Sequence, residues 1–373
     1  MKIIQLITSV DLGGAENVVF HLCDHARIEH PNDELLIYEI HSSQSAYALQ
    51  KKEELKNKGI RCVTLGNSNK YISLVLAPLV LWFQLRRQRP DIIHSHTDLP
   101  DFVLAIALKL IPRRRLRIFR TIHNTELWST RYFTGWLTET SFRNDRIIAV
   151  SQAAAKAYRA IRERYRLPAT THQYMIYNGV PLPQQEDHPF QLDPNRINIL
   201  FAGRLELQKG IDLLLELLNQ LNEEWRDKYC FHIAGDGSFR QQVEQATKKY
   251  AHVYYYQTVN NLPHKLYPFD YLLMPSRFEG FGLLSVEASL AGVPVAACRV
   301  PGLDETLPPD WPLWAKQPTV ESLFQVLQLL SNTKLLRKEL SGKSTAWVKD
   351  HFLLSKMGKE YFILYQSIQV HYA

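Results

Sequence analysis

Short apolar runs alternate with amphipathic stretches along almost the whole chain. Residues 3–8 form the first apolar run and predict a buried strand. Residues 15–27 follow, with Val18, Val19, Leu22 and Cys23 at helical spacing. Further strands are predicted over 35–41, 60–65, 91–96, the alternating run L-R-I-F-R-T-I-H-N that ends at His123 and Asn124, 145–151 and 174–180. Helices are predicted over 44–58, 71–87 and 99–111, and again after Ser151, a side chain suited to an N-cap. The helix over 71–87 is strongly apolar despite Pro78, and that predicts a core helix rather than a membrane contact. The stretch 181–194, P-L-P-Q-Q-E-D-H-P-F-Q-L-D-P, is polar and proline-rich and predicts a linker. Beyond it the pattern restarts. Strands are predicted over 197–202, 229–234, 253–257, 269–274 and 295–298, and helices over 211–221, 239–250, from Leu283 to a stop at Gly292, and over 343–365. Strand and helix in strict alternation predict parallel sheets, here in two doubly wound α/β domains.

Composition agrees with that picture. A chain of 373 residues, 46% apolar and 22% charged, is long enough for two domains of ordinary size. The N-terminus reads as a first strand rather than a signal peptide, and the longest apolar run, 72–83, is too short to span a bilayer. Cys23, Cys62, Cys230 and Cys298 lack metal-ligand spacing and sit in apolar contexts, so reduced core thiols and a cytoplasmic location are expected. Charge is uneven: up to Leu182 there are 25 basic and 16 acidic residues, a net of +9, against −2 for the remainder. The basic half includes Arg113, Arg114, Arg115, Arg117 and Arg120, and it points to an anionic partner there, such as a membrane surface or a lipid-linked phosphate. A nucleic acid is disfavoured, because only Phe119 is interleaved with that cluster.

The chemistry gathers at loops that follow strands. Pro275 to Val295 reads P-S-R-F-E-G-F-G-L-L-S-V-E-A-S-L-A-G-V-P-V. Gly280 and Gly282 allow a tight turn before a helix whose first amides and dipole suit a phosphate. Glu279 precedes those amides and Glu287 lies one turn inside the helix, so the stretch suits a molecule that carries both phosphates and hydroxyls. After the strand over 197–202, Gly203 and Gly210 bracket a loop that offers Arg204 and Lys209 beside a helix start, the pair of cations a diphosphate leaving group requires. Gly235-Asp236-Gly237 makes a tight turn after the next strand, and Gly13-Gly14 makes a glycine loop after the first. His94, His96 and His123 stand at strand ends, where ligands gather in open α/β sheets. His94 and His96 are equally explained as strand-end caps, and no carboxylate pattern supports a metal on the three.

The ordered set G-G-A-E, His123, G-R-x-x-x-x-K-G, G-D-G and E-x7-E, spread over most of the chain, resembles the retaining glycosyltransferases of GT-B type, family 4. The resemblance implies two Rossmann-like domains facing across a cleft. They would cover 1–182 and 183–354, with the helix 355–373 packing back on the first. It implies that Arg204 and Lys209 neutralise the donor diphosphate, that Glu279 contacts sugar hydroxyls, and that Glu287 holds the ribose. The amides of Phe281, Gly282 and Leu283 would bind the diphosphate. Gly203, Gly235 and Gly237 would line the nucleotide, Gly13 and Gly14 would touch donor phosphate or acceptor, and His123 would contact the donor sugar. The family usually has two glycines where this chain has Pro301-Gly302. The implied reaction is metal-independent transfer, with retention, from a nucleotide-diphosphate sugar, a UDP-sugar first and a GDP-sugar next. The acceptor would be a hydroxyl of a saccharide or lipid-linked molecule in cell-surface polysaccharide or glycolipid synthesis. No cofactor beyond the donor is expected, and the enzyme would stand on the cytoplasmic face of the inner membrane at most peripherally. The alternatives are a sugar-nucleotide 2-epimerase on the same fold and a non-catalytic two-lobed ligand-binding protein.

Overall fold

Ile3, Ile4, Leu6 and Ile7 are all within 1% of complete burial, because a parallel strand is covered on both faces and has no side left for polar residues. They belong to β1 (Lys2–Ile7), an interior strand of the first sheet. The computed structural model describes residues 1–109, 116–128, 132–142, 145–170, 172–330 and 334–367. The chain divides into two units, Met1–Pro181 with the C-terminal helix, and Leu182–Leu353.

In the first unit β1 is followed by α1 (Gly14–Glu29), β2 (Glu34–Glu39), α2 (Ala46–Asn57), β3 (Arg61–Thr64), α3 (Lys70–Gln88), β4 (Ile92–His96), α4 (Asp98–Leu108), β5 (Arg117–Ile122), α5 (Tyr132–Ser141), β6 (Arg146–Ala149), α6 (Gln152–Arg164) and β7 (Gln173–Met175). The sheet runs β3-β2-β1-β4-β5-β6-β7, and all its pairs are parallel. Strand order therefore reverses between β1 and β4, where an open α/β sheet leaves a crevice at its carboxyl edge.

The second unit contains β8 (Ile197–Ala202), α7 (Ile211–Gln220), α8 (Glu223–Lys228), β9 (Tyr229–Ala234), α9 (Arg240–Lys249), β10 (Val253–Tyr256), β11 (Tyr271–Met274), α10 (Leu283–Leu290), β12 (Val295–Cys298), β13 (Trp314–Ala315), α11 (Val320–Leu330) and α12 (Lys334–His351). Its sheet, β10-β9-β8-β11-β12-β13, is likewise parallel, and its order reverses between β8 and β11. One cluster of buried apolar side chains from Phe190 to Leu340 fills this unit.

The C-terminal stretch is two helices rather than one. Phe352 and Leu353 interrupt it, with the Leu354 amide turned to the Val180 carbonyl at 2.9 Å. The second helix, α13 (Leu354–Gln366), joins the first unit by packing on α1. Gly358 abuts the His25 ring and the His30 ring stacks on Phe362 at 4.0 Å. Tyr361, Phe362 and Tyr365 are buried there.

Two further expectations are corrected. Helix α3 is not a core helix on all sides: Ser73, Ala77, Leu81 and Leu85 are buried, while Tyr71, Val75, Leu79 and Phe83 are more than half exposed. The arginine cluster does not face an anionic partner as one group. Arg120 is 1% exposed and ion-paired to Asp101 at 2.8 Å and Glu139 at 2.7 Å, because alternation along β5 turns it under α4 and α5. Arg117 donates to the Tyr365 carbonyl at 2.7 Å, and Arg113, Arg114 and Arg115 lie outside the described residues.

Candidate active site

In the second unit the loops leaving β8, β9 and β11 meet at the reversal of strand order. The Gly203 amide donates to the Ala234 carbonyl at 3.0 Å, and the Leu205 amide to the Asp236 carbonyl at 2.9 Å, which stitches the first two loops together. Gly235 has φ +145°, and a Cβ on it would stand 1.9 Å from the Gly203 carbonyl oxygen; Gly237 faces Leu205 in the same way. Only glycine fits such an approach. Gly210, at φ +72°, lies against the Pro275 carbonyl, where a Cβ would come within 2.0 Å. Arg277 completes the tether: its amide donates to the Gln208 carbonyl, and its guanidinium grips Asp212 through two bonds of 2.7 and 2.6 Å.

These contacts bring the predicted cations and carboxylates together. Lys209 Nζ lies 2.7 Å from Glu279 Oε1, and the Ser276 hydroxyl donates to the same oxygen at 2.8 Å. Glu279 is buried, whereas Arg204 is exposed and donates to Gln208 Oε1 at 2.7 Å. Gln208 in turn reaches the Phe278 carbonyl at 3.4 Å. Gly282, at φ +84°, is the N-cap of α10, so no side chain caps the helix. Phe281 before it is buried against Phe352, and Leu283 opens the first turn. Glu287 has no ion-pair partner among the described residues, and burial pushes its carboxyl up to about 7. Gly302, at φ +86°, lies on the Glu279 carbonyl, where a Cβ would come within 2.4 Å. The second position of Pro301-Gly302 thus needs glycine, while Pro301 is exposed.

His123, Gly13 and Gly14 belong to the first unit. Gly13 is the extended N-cap of α1, at φ −175°, a conformation open to any residue, and Gly14 is the first helical residue. Asp11 ties this loop to the residues before α2 by accepting from Ser45 Oγ at 3.1 Å.

His123 directly follows β5 and lies in a chain of polar groups that spacing alone did not reveal. His123 Nε2 is 3.0 Å from His96 Nδ1, and His96 Nε2 is 2.8 Å from Gln5 Oε1. Gln5 Nε2 faces the Tyr365 hydroxyl at 3.4 Å, that hydroxyl faces His94 Nδ1 at 2.5 Å, and His94 Nε2 faces Thr121 Oγ1 at 2.6 Å. With Gln5 in this orientation the direction is set along the branch through His96 to His123. Gln5 Oε1 only accepts, so His96 donates from Nε2 and accepts at Nδ1. His123 then donates from Nε2 and keeps a lone pair on Nδ1. Burial lowers the pKa of all three histidines, that of His123 to about 3, so the neutral rings this pattern needs are the stable ones. His94 and His96 are therefore interior network residues rather than strand-end caps.

Two more features lay outside the motifs. Thr97, a non-glycine residue at φ +73°, follows β4, and such strain collects at functional sites. Beside it burial raises the Asp98 carboxyl to about 7, with the Asp101 charge adding to the effect.

Comparison with known proteins accounts for both halves. The family described as "Glycosyltransferase Family 4" matches residues 12–183, and that described as "Glycosyl transferases group 1" matches residues 184–347. A 41.2 kDa protein of the cps region of Klebsiella pneumoniae is 29% identical over 98% of this chain and 100% of its own length. The O-antigen biosynthesis glycosyltransferase WclY of Escherichia coli is 27% identical over 75% of this chain and 80% of its own. The crystal structure of HepE of Anabaena in complex with UDP-glucose superposes with a TM-score of 0.79 at 18% identity, over 99% of this chain and 100% of that one. The parallel sheets, the stitched glycine loops and these matches lead to one conclusion: the chain belongs to the family 4, group 1 glycosyltransferases of GT-B fold.

Proposed function

We propose that the second unit binds a nucleotide-diphosphate sugar, a UDP-sugar first and a GDP-sugar next, and that the enzyme transfers the sugar with retention and without a metal. The contact of Lys209 with Glu279 carries this reading. It puts a cation suited to the diphosphate 2.7 Å from a carboxylate suited to sugar hydroxyls, beside a helix start that no side chain caps. Arg204 and Lys209, with the amides of Phe281, Gly282 and Leu283, stabilise charge that grows on the diphosphate as the glycosyl–oxygen bond breaks. That positive charge is what a metal would otherwise supply. Glu287 accepts from the ribose hydroxyls, with Gly203, Gly235 and Gly237 lining the nucleotide. His123 meets the donor sugar, and the Gly13-Gly14 loop meets donor phosphate or acceptor.

The reaction forms a bond from the anomeric carbon to an acceptor hydroxyl oxygen. The acceptor proton passes to the departing phosphate oxygen. The relatives named for O-antigen synthesis and for the cps region support a saccharide or lipid-linked acceptor in cell-surface polysaccharide synthesis. Thermal shifts with UDP, GDP, ADP and dTDP test the donor side. One of them should raise the stability of the wild type by about 2–4 kcal/mol at saturation and leave Arg204→Ala almost unmoved. No shift with any nucleotide would return the chain to the two-lobed binding-protein alternative.

A further inference from the structure

Behind His123 the first unit buries a run of polar side chains where apolar ones would pack as well. Gln5 of β1, His94 and His96 of β4, Thr121 of β5 and Tyr365 of α13 are all buried. Polar groups persist in a core when they find hydrogen-bond partners there. Two arrangements of protons satisfy this chain, each the reverse of the other, and they leave opposite groups on the outer edge of His123. The Tyr365 hydroxyl decides between them. It stands 2.5 Å from His94 Nδ1 and 3.4 Å from Gln5 Nε2. In one arrangement its proton lies in the short contact. In the other it points across 3.4 Å, beyond the range of an O–H···O bond. A phenol is also a stronger acid than the Thr121 alcohol on the other side of the His94 ring, so the phenol is the hydroxyl that donates. With that proton given to His94, the Tyr365 oxygen can only accept. Gln5 must then turn its amide nitrogen to Tyr365 and its carbonyl to His96. His96 donates to that carbonyl from Nε2, and its Nδ1 accepts from His123 Nε2.

We propose that Gln5, His96 and Tyr365 are positioning residues that hold the proton of His123 on Nε2, so that Nδ1 accepts a hydrogen bond from a hydroxyl of the donor sugar. The inference rests on the reading that His123 meets the donor sugar, and it adds the direction in which the bond between them runs. His123 is half-buried, and its Nδ1 has no partner among the described residues, so that lone pair is the side left for a ligand. Burial keeps the three rings neutral, so His123 offers no cation. Whatever meets Nδ1 must therefore bring its own proton. A hydroxyl does so. A carboxylate does not, and a uronic acid whose carboxylate faced the lone pair would be repelled. The site thus selects a sugar with a free hydroxyl at the position that meets His123. Helix α13 also gains a part in the chemistry, since the hydroxyl that sets the direction is carried on it.

Long-range proton–nitrogen NMR of the protein labelled at histidine nitrogens reads the tautomer directly, and His123→Ala identifies the signal. At neutral pH and without ligand, the wild type should show His123 protonated at Nε2 alone. Gln5→Met and Tyr365→Phe keep the bulk but remove the ordering groups. Each should bring up a second population of His123 protonated at Nδ1, with a melting curve to show that the variant is folded. Calorimetric titration reads the consequence. UDP alone should bind wild type and Gln5→Met within about two-fold, while the extra affinity that the sugar confers should fall roughly five-fold, the worth of one neutral hydrogen bond. In a series of UDP-sugars with one hydroxyl replaced by fluorine, which cannot donate, one member should lose roughly that factor in the wild type and nothing in His123→Ala. A wild-type His123 protonated at Nδ1 overturns the proposal. So does an Nε2 proton that Gln5→Met and Tyr365→Phe both leave unmoved, or a fluorine series that penalises His123→Ala as it does the wild type. Absence of UDP binding beside the expected tautomers would count against the donor assignment, not against the ordering of His123.

Discussion

Glu287 and Glu279 are both glutamates of one short stretch, yet the fold gives them different surroundings. Glu279 is held by Lys209 and Ser276, while Glu287 has only burial, which raises its carboxyl from 4.5 to about 7. The neutral form of Glu287 therefore favours folding. Its contribution is complete below pH 4.5 and is lost as pH rises through about 7. Glu287→Gln should match the wild type near pH 4.5 and exceed it by up to about 3 kcal/mol above pH 7, read from denaturant melts across pH. A difference independent of pH would show that Glu287 is not held neutral. The spacing of E-x7-E placed both residues in the sequence but did not reveal this asymmetry, because desolvation depends on what packs over α10. The same limit applied to the glycines. Gly235 and Gly210 were legible as turn residues, but that a Cβ on either would stand about 2 Å from a carbonyl of a different loop is a property of the assembled loops.

At the scale of the element, the runs with plain periodicity were legible. β8, β9 and β12 fall on the ranges that their apolar residues predict, since fully buried strands bounded by glycine or proline leave little choice. Helix α5 was not anticipated, nor were α8, β13 and α11. Burial along α5 falls on Gly135, Thr138 and Glu139, residue types that carry no apolar signal. The reason lies in Arg120, whose guanidinium gathers Asp101 of α4 and Glu139 of α5 into one buried cluster, with Arg162 of α6 at 3.7 Å from Glu139. Polar residues thus do inside this unit what apolar ones do elsewhere. Arg120→Met keeps the bulk but strips Asp101 of its cation and leaves Glu139 only the longer contact with Arg162, and it should cost about 3–5 kcal/mol at neutral pH. The deficit should narrow as pH falls and protons take the place of the guanidinium. A neutral effect in a melt at pH 7 would mean that the carboxylates find other partners.

At the scale of the molecule, two parallel sheets each reverse their strand order once, and the motif-bearing loops gather at those reversals. Alternating strands and helices made the two sheets legible. The histidine chain was not legible, because it joins β1, β4 and β5 to Tyr365 of a helix that returns from the far end of the sequence. The break between α12 and α13 that permits this return has no proline or glycine to mark it. The uneven charge was legible as a sum but not in its use, since Arg120 serves the interior while Arg86 and Arg87 reach solvent.

The central claim is that Lys209 meets the diphosphate and Glu279 meets the sugar. Calorimetric titration of wild type, Lys209→Ala and Glu279→Gln with UDP and with a UDP-sugar the wild type binds tests it most directly. Lys209→Ala should weaken both ligands by about 100-fold, the worth of a charge-assisted contact to phosphate. Glu279→Gln should leave UDP within a few-fold of wild type and remove the extra affinity that the sugar confers. If Lys209→Ala binds UDP as the wild type does, or if Glu279→Gln weakens UDP and UDP-sugar alike, the division of labour between these two residues is wrong.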